Sequence, residues 1–338
     1  MSKRYIVTGG GGFVGKAIIK ALCAEGHNVV SISRKYYPEL AELGVDQHQI
    51  DIGVNNESWQ NVFTGVTGVF HTAAKVDMWG KFADFYRTNV EGTKHLLEAC
   101  TKYGVENFVF TSSPSVIHDG NDLRGVDESY PYPEHFHAPY PRTKALAEQM
   151  VLKANNNKDF KAVSLRPHLI WGPDDTNLIP TVVQRAQAGR LTRVGSGNNR
   201  VDITFITDCV SAHLLAMKAL ESGNERVFGK AYFISQGEPV SMWDWIDEIL
   251  AKHNLPAVNR SVSKPLATAL ASVCEVIASL GSVFGMTWKP LLTRFLVSEM
   301  ATDHYFSIDA AKNDFGFEPA YSVAQAMEET FKARSSID

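Results

Sequence analysis

Thr8-Gly9-Gly10-Gly11-Gly12-Phe13-Val14-Gly15 is the stretch whose reading decides the fold. Just before it, Tyr5-Ile6-Val7 is a short apolar run that reads as a buried strand. Just after it, Val14, Ile18, Ala21 and Leu22 recur at helical spacing. A strand, a glycine turn and a helix in direct succession form the setting that a phosphate-cradling turn needs. The spacing Gly9-x-x-Gly12-x-x-Gly15 is one residue longer than the commoner G-x-G-x-x-G, and the physics is the same. Without Cβ atoms the backbone turns sharply and comes close to a pyrophosphate. The free N–H groups around Phe13 and Val14 then face the anion at the helix start. A glycine-rich turn with no ligand is the plainer alternative.

The alternation continues outward from there. Residues 27–33 read as a second strand, ending at Ser33-Arg34-Lys35. In NAD sites an acidic side chain about twenty residues past the glycines accepts the ribose 2′-hydroxyl. Here Ser33, Arg34 and Lys35 occupy that place, and an Arg suits a 2′-phosphate by charge and fork geometry. The expected cofactor is therefore NADPH/NADP; a solvated cation at a strand end is the alternative. Gln49-Ile50-Asp51-Ile52 reads as the end of a third strand, with Asp51 and Ile52 at the adenine side, or with Asp51 capping the next helix. Residues 68–74 form a fourth strand that runs into Ala73 and Ala74, whose small side chains leave room in the crevice. Asn89 opens a long helix through Cys100, and residues 108–113 are a fifth strand ending in hydroxyls. A loop rich in Pro, Tyr and His spans residues 118–139. Residues 162–167 are a sixth strand and residues 230–234 a later one.

This order predicts an α/β fold, a doubly wound parallel sheet of Rossmann type with a smaller, mostly helical C-terminal substrate lobe. The expected division is a dinucleotide-binding unit over residues 1–170, completed by about 203–235, with residues 171–202 and 236–338 as the substrate lobe. A length of 338 residues accommodates both. The net charge of -4 argues against a nucleic-acid partner. Cys23, Cys100, Cys209 and Cys274 are scattered, with neither a metal spacing nor a disulfide framework, so no metal is expected and a reducing cytoplasm is. The first strand begins close to Met1, so no leader peptide is expected.

Tyr140 and Lys144 lie four residues apart at the start of a helical stretch, and therefore on one face. A phenol with a pKa near 10 is a poor base, and a neighbouring ammonium favours the phenolate. Ser113, at the end of the fifth strand, can donate to a carbonyl oxygen. With a nicotinamide as hydride donor, the three polarise and protonate a ketone. In combination with the glycine turn, they resemble the extended branch of the short-chain dehydrogenase/reductase superfamily. The resemblance implies Tyr140 as the proton-transfer residue, with Lys144 as its partner and ribose binder. It also implies Ser113 as the carbonyl-orienting hydroxyl and Asn89 at a helix start on the cofactor side. Arg166-Pro167 and Gly172-Pro173 match the branch's strand-six signature, which puts Pro167 at the cofactor. Asp208 matches a further family position, or is simply a helix N-cap.

Within the branch, Pro114-Ser115 stands where sugar dehydratases carry an acidic pair, which argues against dehydration. Arg200 could serve the diphosphate of a nucleotide-sugar epimerase, a one-residue match. Residues 266–286 are apolar and rich in small side chains, with Glu275 the only charge, and residues 288–296 continue that character. A buried or lid helix pair over an apolar ligand is the expected reading; a membrane-surface segment is the alternative. Several strings, among them Met78-Trp79-Gly80 and residues 165–173, resemble the 2-alkyl-3-oxoalkanoate reductases of bacterial long-chain olefin biosynthesis, near the 3β-hydroxysteroid dehydrogenase group. This implies NADPH-dependent reduction of a long-chain 2-alkyl-3-ketoacid, with Trp79, His168 and Arg200 as candidate substrate contacts. It also implies association with sister pathway enzymes. A homodimer through the helices from Asn89 and from Tyr140 follows the superfamily habit. A sterol dehydrogenase, an epimerase and an NADP(H)-sensing protein without turnover are the competing readings.

Overall fold

The computed structural model describes residues 2–55, 61–156, 158–283 and 288–332. The chain opens with β1 (Arg4–Thr8), α1 (Phe13–Ala24), β2 (Asn28–Ser33), α2 (Pro38–Ala41), β3 (Asp46–Gln49) and β4 (Gly68–His71). It continues through α3 (Phe82–Phe85), α4 (Gly92–Tyr103), β5 (Asn107–Thr111), β6 (Leu123–Val126), α5 (Pro139–Ala154), β7 (Lys161–Pro167) and β8 (Ile170–Trp171). Next come α6 (Leu178–Gln187), β9 (Arg193–Val194), β10 (Arg200–Val201), β11 (Thr204–Phe205), α7 (Ile206–Glu221), β12 (Lys230–Ile234), β13 (Val240–Ser241) and α8 (Met242–Ala251). The last elements are β14 (Ser261–Val262), α9 (Lys264–Val283), α10 (Arg294–Ala301), β15 (His304–Phe306), α11 (Asp309–Phe315) and α12 (Val323–Phe331).

Seven strands make one parallel sheet in the order β12-β7-β5-β4-β1-β2-β3. Alternate side chains leave opposite faces of a strand, so both faces must be apolar when both are covered. Tyr5 and Val7 pack into one core with Ile18 and Leu22 of α1 and with Ala212 and Ala216 of α7. Ile6 enters the other, with Leu96 of α4 and Val151 of α5. The order reverses direction between β1 and β4, and ligands of such sheets bind in the crevice outside the carboxyl ends of the strands at that point. The turn after β1 and the loop after β4 meet there: a Cβ on Gly9 would lie 2.9 Å from the Ala73 backbone.

Three expectations change. Residues 118–139 are not all loop, because β6 joins a second sheet in the order β13-β10-β15-β6. Strands of two to four residues carry no readable periodicity, and their pairing is long-range. Asn89 does not open a helix. The helical run begins at Phe82 and widens into a π-turn over Tyr86–Glu91 before α4, with Asn89 inside it. α9 is not half of a buried helix pair: Ala267, Ala271 and Ala278 face the core, while Leu266, Leu270, Val273, Ile277 and Leu280 are exposed. Residues 284–286 of the predicted apolar segment lie outside the described residues.

Candidate active site

The glycine turn is built for close approach. Gly9 has φ +71°, a left-handed conformation that favours glycine. A Cβ on Gly15 would sit 2.4 Å from the Gly9 carbonyl oxygen, so only glycine lets α1 start this close to β1. α1 begins after Gly12 with no side chain capping its first amides, which leaves the N–H groups around Phe13 and Val14 for an anion. These residues fit a dinucleotide pyrophosphate. Past β2, Ser33 is half-buried, and Arg34 and Lys35 are exposed without an ion pair among the described residues. Tyr37 escaped the sequence reading. Its ring fills the space beside Gly11, and Gln47 bonds its backbone N–H and carbonyl at 2.9 Å each.

Asp51 accepts from the Gly53 N–H at 3.0 Å and from Arg87 at 3.3 Å, so it closes a turn there. Ile52 is buried against Gly92, and its carbonyl bonds His95 at 2.8 Å. Ala73 donates its N–H to the Thr8 hydroxyl at 3.2 Å, and Ala74 follows it half-buried at the crevice. The π-turn aims the Asn89 side chain inward: its Oδ1 accepts from Lys75 N at 2.7 Å and its Nδ2 donates to the Thr143 hydroxyl at 3.0 Å. Asn89 thus ties the loop after β4 to α5. Such wide turns recur at functional sites.

α5 starts at Pro139, with its fixed φ, so Tyr140 stands in the first turn. Tyr140, Lys144 and Glu148 repeat at intervals of four and share one face. Tyr140 keeps part of its surface open to solvent, and Ser113 bonds it. The Ser113 hydroxyl also accepts from Ser115 N–H at 3.2 Å, which fixes its orientation. Burial pushes the phenol up to about 12; the Ser113 hydrogen bond pulls it down and the Glu299 carboxylate pushes it further up. Lys144 is buried, and its Nζ donates to the Thr111 carbonyl at 2.5 Å above the Phe110 ring. Desolvation drags that ammonium down to about 7, opposed by Glu148. The expected partnership of Lys144 with the phenol is therefore not what sets Tyr140 in this structure: the ammonium is turned to a strand carbonyl, and Tyr140 stays a protonated phenol at neutral pH. His71 sits below, held by the hydroxyls of Thr8 at 2.7 Å and Thr93 at 3.0 Å. Burial and the nearby Lys144 charge lower its pKa to about 3, so it is neutral.

Glu148 is fully buried and receives Arg166 at 2.6 Å, Ser164 at 2.7 Å and Tyr132 at 2.7 Å. These donors hold its carboxyl below the usual range in spite of burial. Arg166 thus braces the catalytic helix from β7, and Pro167 follows it, buried at the strand's end.

Of the other expected residues, His168 lies beside this centre. Its Nε2 donates to His304 Nδ1 at 2.6 Å, and His304 Nε2 donates to the Glu299 carbonyl at 2.7 Å. His118 bonds Ser298 at 2.9 Å and stands 3.7 Å from the Glu299 carboxylate. His118, Glu299 and His304 were missed because they come from distant segments and no local spacing links them. One ligand atom each from His168, Glu299 and His304 falls within 4.8 Å of the others. Two nitrogens at 2.6 Å share a proton, however; two ligands of one tetrahedral zinc stand about 3.3 Å apart. Trp79 is half-buried in the loop between β4 and α3. Arg200 lies in the second sheet, its guanidinium on the Pro239 carbonyl at 2.8 Å and over the Tyr305 ring. No described contact joins it to Tyr140, Ser113 or Lys144. Asp208 is not an N-cap. It lies in the first turn of α7 and accepts from the Gln236 side chain and, at 2.8 Å, from Ala320 N, which ties the last segment to the sheet. A groove of about 630 Å³ between α1 and α7, lined by Tyr5, Leu22 and Leu214, holds none of these groups.

The description of the 3-beta hydroxysteroid dehydrogenase/isomerase family matches residues 6–263. The chain is 41% identical over 327 residues to 2-alkyl-3-oxoalkanoate reductase of Stenotrophomonas maltophilia (strain K279a), covering 96% of this chain and 97% of that one. It is 32% identical over 340 residues to sterol-4-alpha-carboxylate 3-dehydrogenase, decarboxylating, of Mus musculus, covering 98% and 91%. UDP-glucuronic acid 4-epimerase from Bacillus cereus, solved in complex with NAD, has the same fold, with a TM-score of 0.74 at 20% identity over 99% of each chain. By its sheet, its Tyr140, Lys144 and Ser113 and these likenesses, the chain belongs to the 3-beta hydroxysteroid dehydrogenase/isomerase family, among the extended short-chain dehydrogenases/reductases, and is an oxidoreductase of that type.

Proposed function

We propose that the protein reduces the 3-keto group of long-chain 2-alkyl-3-oxoalkanoic acids with NADPH. The observation that carries this reading is the 41% identity to a reductase of that name over nearly the whole of both chains. Arg34 and Lys35, exposed and without ion pairs among the described residues just past β2, support the choice of cofactor, since a 2′-phosphate offers them a partner. The bound nicotinamide supplies the hydride to the carbonyl carbon. Ser113 donates to the carbonyl oxygen, and Tyr140, kept protonated by burial, delivers the proton as that oxygen becomes an alcohol. Lys144 positions the ribose from the same helix face.

A second reading has its own support. The sterol relative's name also describes an oxygen function one carbon away from the carbon that bears the carboxylate. A β-oxygenated acid is common to both names, and the scaffold joined to it differs: flexible alkyl in one, fused rings in the other. NADPH oxidation measured side by side with a long-chain 2-alkyl-3-ketoacid, a 3-ketosteroid and a UDP-sugar separates the readings. Turnover confined to the ketoacid is expected. Turnover confined to the steroid, or equal rates with NADH and NADPH, overturns the substrate or the cofactor assignment respectively. Arg34→Asp should weaken NADPH binding and spare NADH.

A further inference from the structure

Beside Tyr140 lies a set of buried imidazoles that the reduction does not use. His118, His168 and His304 are at most 7% exposed, and they come from the loop after β5, the end of β7 and β15. Their hydrogen bonds fix where the protons sit. The Glu299 carbonyl can only accept, so His304 Nε2, at 2.7 Å from it, carries a hydrogen. His304 Nδ1 and His168 Nε2 stand 2.6 Å apart. Two bare lone pairs would repel at that distance, so one proton lies between them. A neutral pair of imidazoles holds two N–H protons, and both are now placed. His168 Nδ1 is therefore bare, and it has no partner among the described residues. A third proton has one place to go, which is that nitrogen. The backbone beneath the ring is pinned: the His168 N–H donates to the Thr204 hydroxyl at 3.0 Å, and that hydroxyl donates to the His168 carbonyl at 2.7 Å.

Resting on the β-oxo acid reading above, we infer that His168 Nδ1 binds the substrate carboxylate and that the His168–His304 pair takes up a proton as the acid binds. A 3-oxo acid carries its carboxylate two bonds from the carbonyl carbon, so the group that binds it must stand beside Ser113 and Tyr140. His168 stands there. The Ser112 N–H bonds the Leu165 carbonyl at 2.6 Å, so β5 and β7 end side by side, with Ser113 and His168 just past those ends. The permanent cations are committed elsewhere: Arg166 to Glu148, Lys144 to the Thr111 carbonyl and Arg200 to the Pro239 carbonyl. The site also holds an anion already, since the Glu299 carboxylate is close enough to raise the Tyr140 phenol. A second carboxylate therefore needs a positive charge made on binding. Burial, His304 and His118 hold the His168 imidazole well below its ordinary range, so it is neutral in the empty site. An incoming carboxylate reverses that balance and favours the imidazolium. The other titratable groups around the pair are His118, Glu299 at 3.7 Å from it, and Asp202 near His304. Asp202 is raised to about 6, chiefly by burial, and receives the Phe306 N–H at 2.8 Å.

Binding is measured by calorimetry on the full chain saturated with NADPH, a complex in which a hydroxy acid cannot be oxidised. The ligands are a long-chain 2-alkyl-3-hydroxy acid, a 3-hydroxysterol 4-carboxylic acid and the methyl ester of each. Buffers of different ionisation enthalpy report the protons taken up. At pH 7 the alkyl acid should take up about one proton and its ester none. At higher pH the acid should weaken by up to about tenfold per pH unit, while the ester stays flat. His168→Gln keeps a donor for His304 Nδ1 and cannot accept a proton. It should abolish the uptake and weaken the acid by at least about tenfold, with the ester within about threefold. The wild-type uptake is read without any variant, so it decides the matter even where His168→Gln does not fold. Acid binding without uptake, or no tighter than that of the ester, overturns the inference. So does uptake that survives in His168→Gln, which would assign the proton to Asp202 or Glu299. Binding with uptake confined to the sterol acid supports His168 and overturns the alkyl substrate instead, whereas no binding by either acid overturns both.

Discussion

At the scale of single residues, Tyr140 and Lys144 are tuned by their surroundings and not by one another. The phenol is raised to about 12 and the ammonium lowered to about 7, each chiefly by burial. Tyr140→Phe should reduce turnover by a factor of about 10² to 10⁴ and leave NADPH binding within about twofold, as single-turnover rates and fluorescence titration will show. Lys144 adds a pH signature in the cofactor-free protein. Its folded pKa lies below its unfolded value of 10.5, so above pH 7 the unfolded chain holds a proton that the folded chain has lost, and stability rises with pH. The rise has a slope of at most about 1.4 kcal/mol per pH unit. It is clearest between pH 7 and about 9, before the buried thiols of Cys100 and Cys209, pushed up by burial, act the other way. Denaturant melts of Lys144→Met should lack the slope; an unchanged slope would assign it to another group. Glu299→Gln removes a charge that raises the phenol, so the alkaline limb for alcohol oxidation should move to lower pH.

Among elements, α5 is the one that must not move. It carries Tyr140, Lys144 and Glu148 on one face, and β7 grips it through Arg166. A buried ion pair adds little net stability over an apolar core, but removal of one partner strands the other charge in a dry site. Glu148→Gln should therefore cost about 3–5 kcal/mol in urea unfolding. It also removes the charge that supports the Lys144 ammonium, so the Lys144 pKa should fall further. A loss below about 1 kcal/mol would mean that Arg166 finds another acceptor or water. The π-turn around Asn89 makes a second grip on the same helix, through Thr143.

For the whole molecule, the question is how a ketone on a long apolar body reaches Tyr140. Each methylene moved from water into an apolar enclosure contributes about 0.8 kcal/mol, or roughly a fourfold gain in kcat/KM until the enclosure is full. Catalytic efficiency should climb at that rate along a series of 2-alkyl-3-ketoacids. A flat series would separate the apolar C-terminal surface from substrate binding and return the substrate to the rigid sterol class.

Sequence alone determined what depends on neighbours in the chain. β1, the glycine turn and α1 follow from a β-forming run, missing Cβ atoms and a 3.6-residue period. Tyr140 and Lys144 share a face because four residues make about one helical turn. The alternation of apolar runs and helices predicted the parallel sheet, since buried strands and crossover helices each have their own local pattern. Tertiary structure decided what depends on partners far along the chain. The pairing of β6 with β15 spans about 180 residues and leaves no local trace. The group of His118, His168, Glu299 and His304 forms only when the loop after β5, the end of β7 and the α10–β15 segment converge. The direction in which α9 faces was equally hidden. A helix apolar on nearly every side does not say in its sequence which side the protein takes. Close packing against α10 favours the alanine stripe, and that leaves the leucines to the solvent or to whatever covers them.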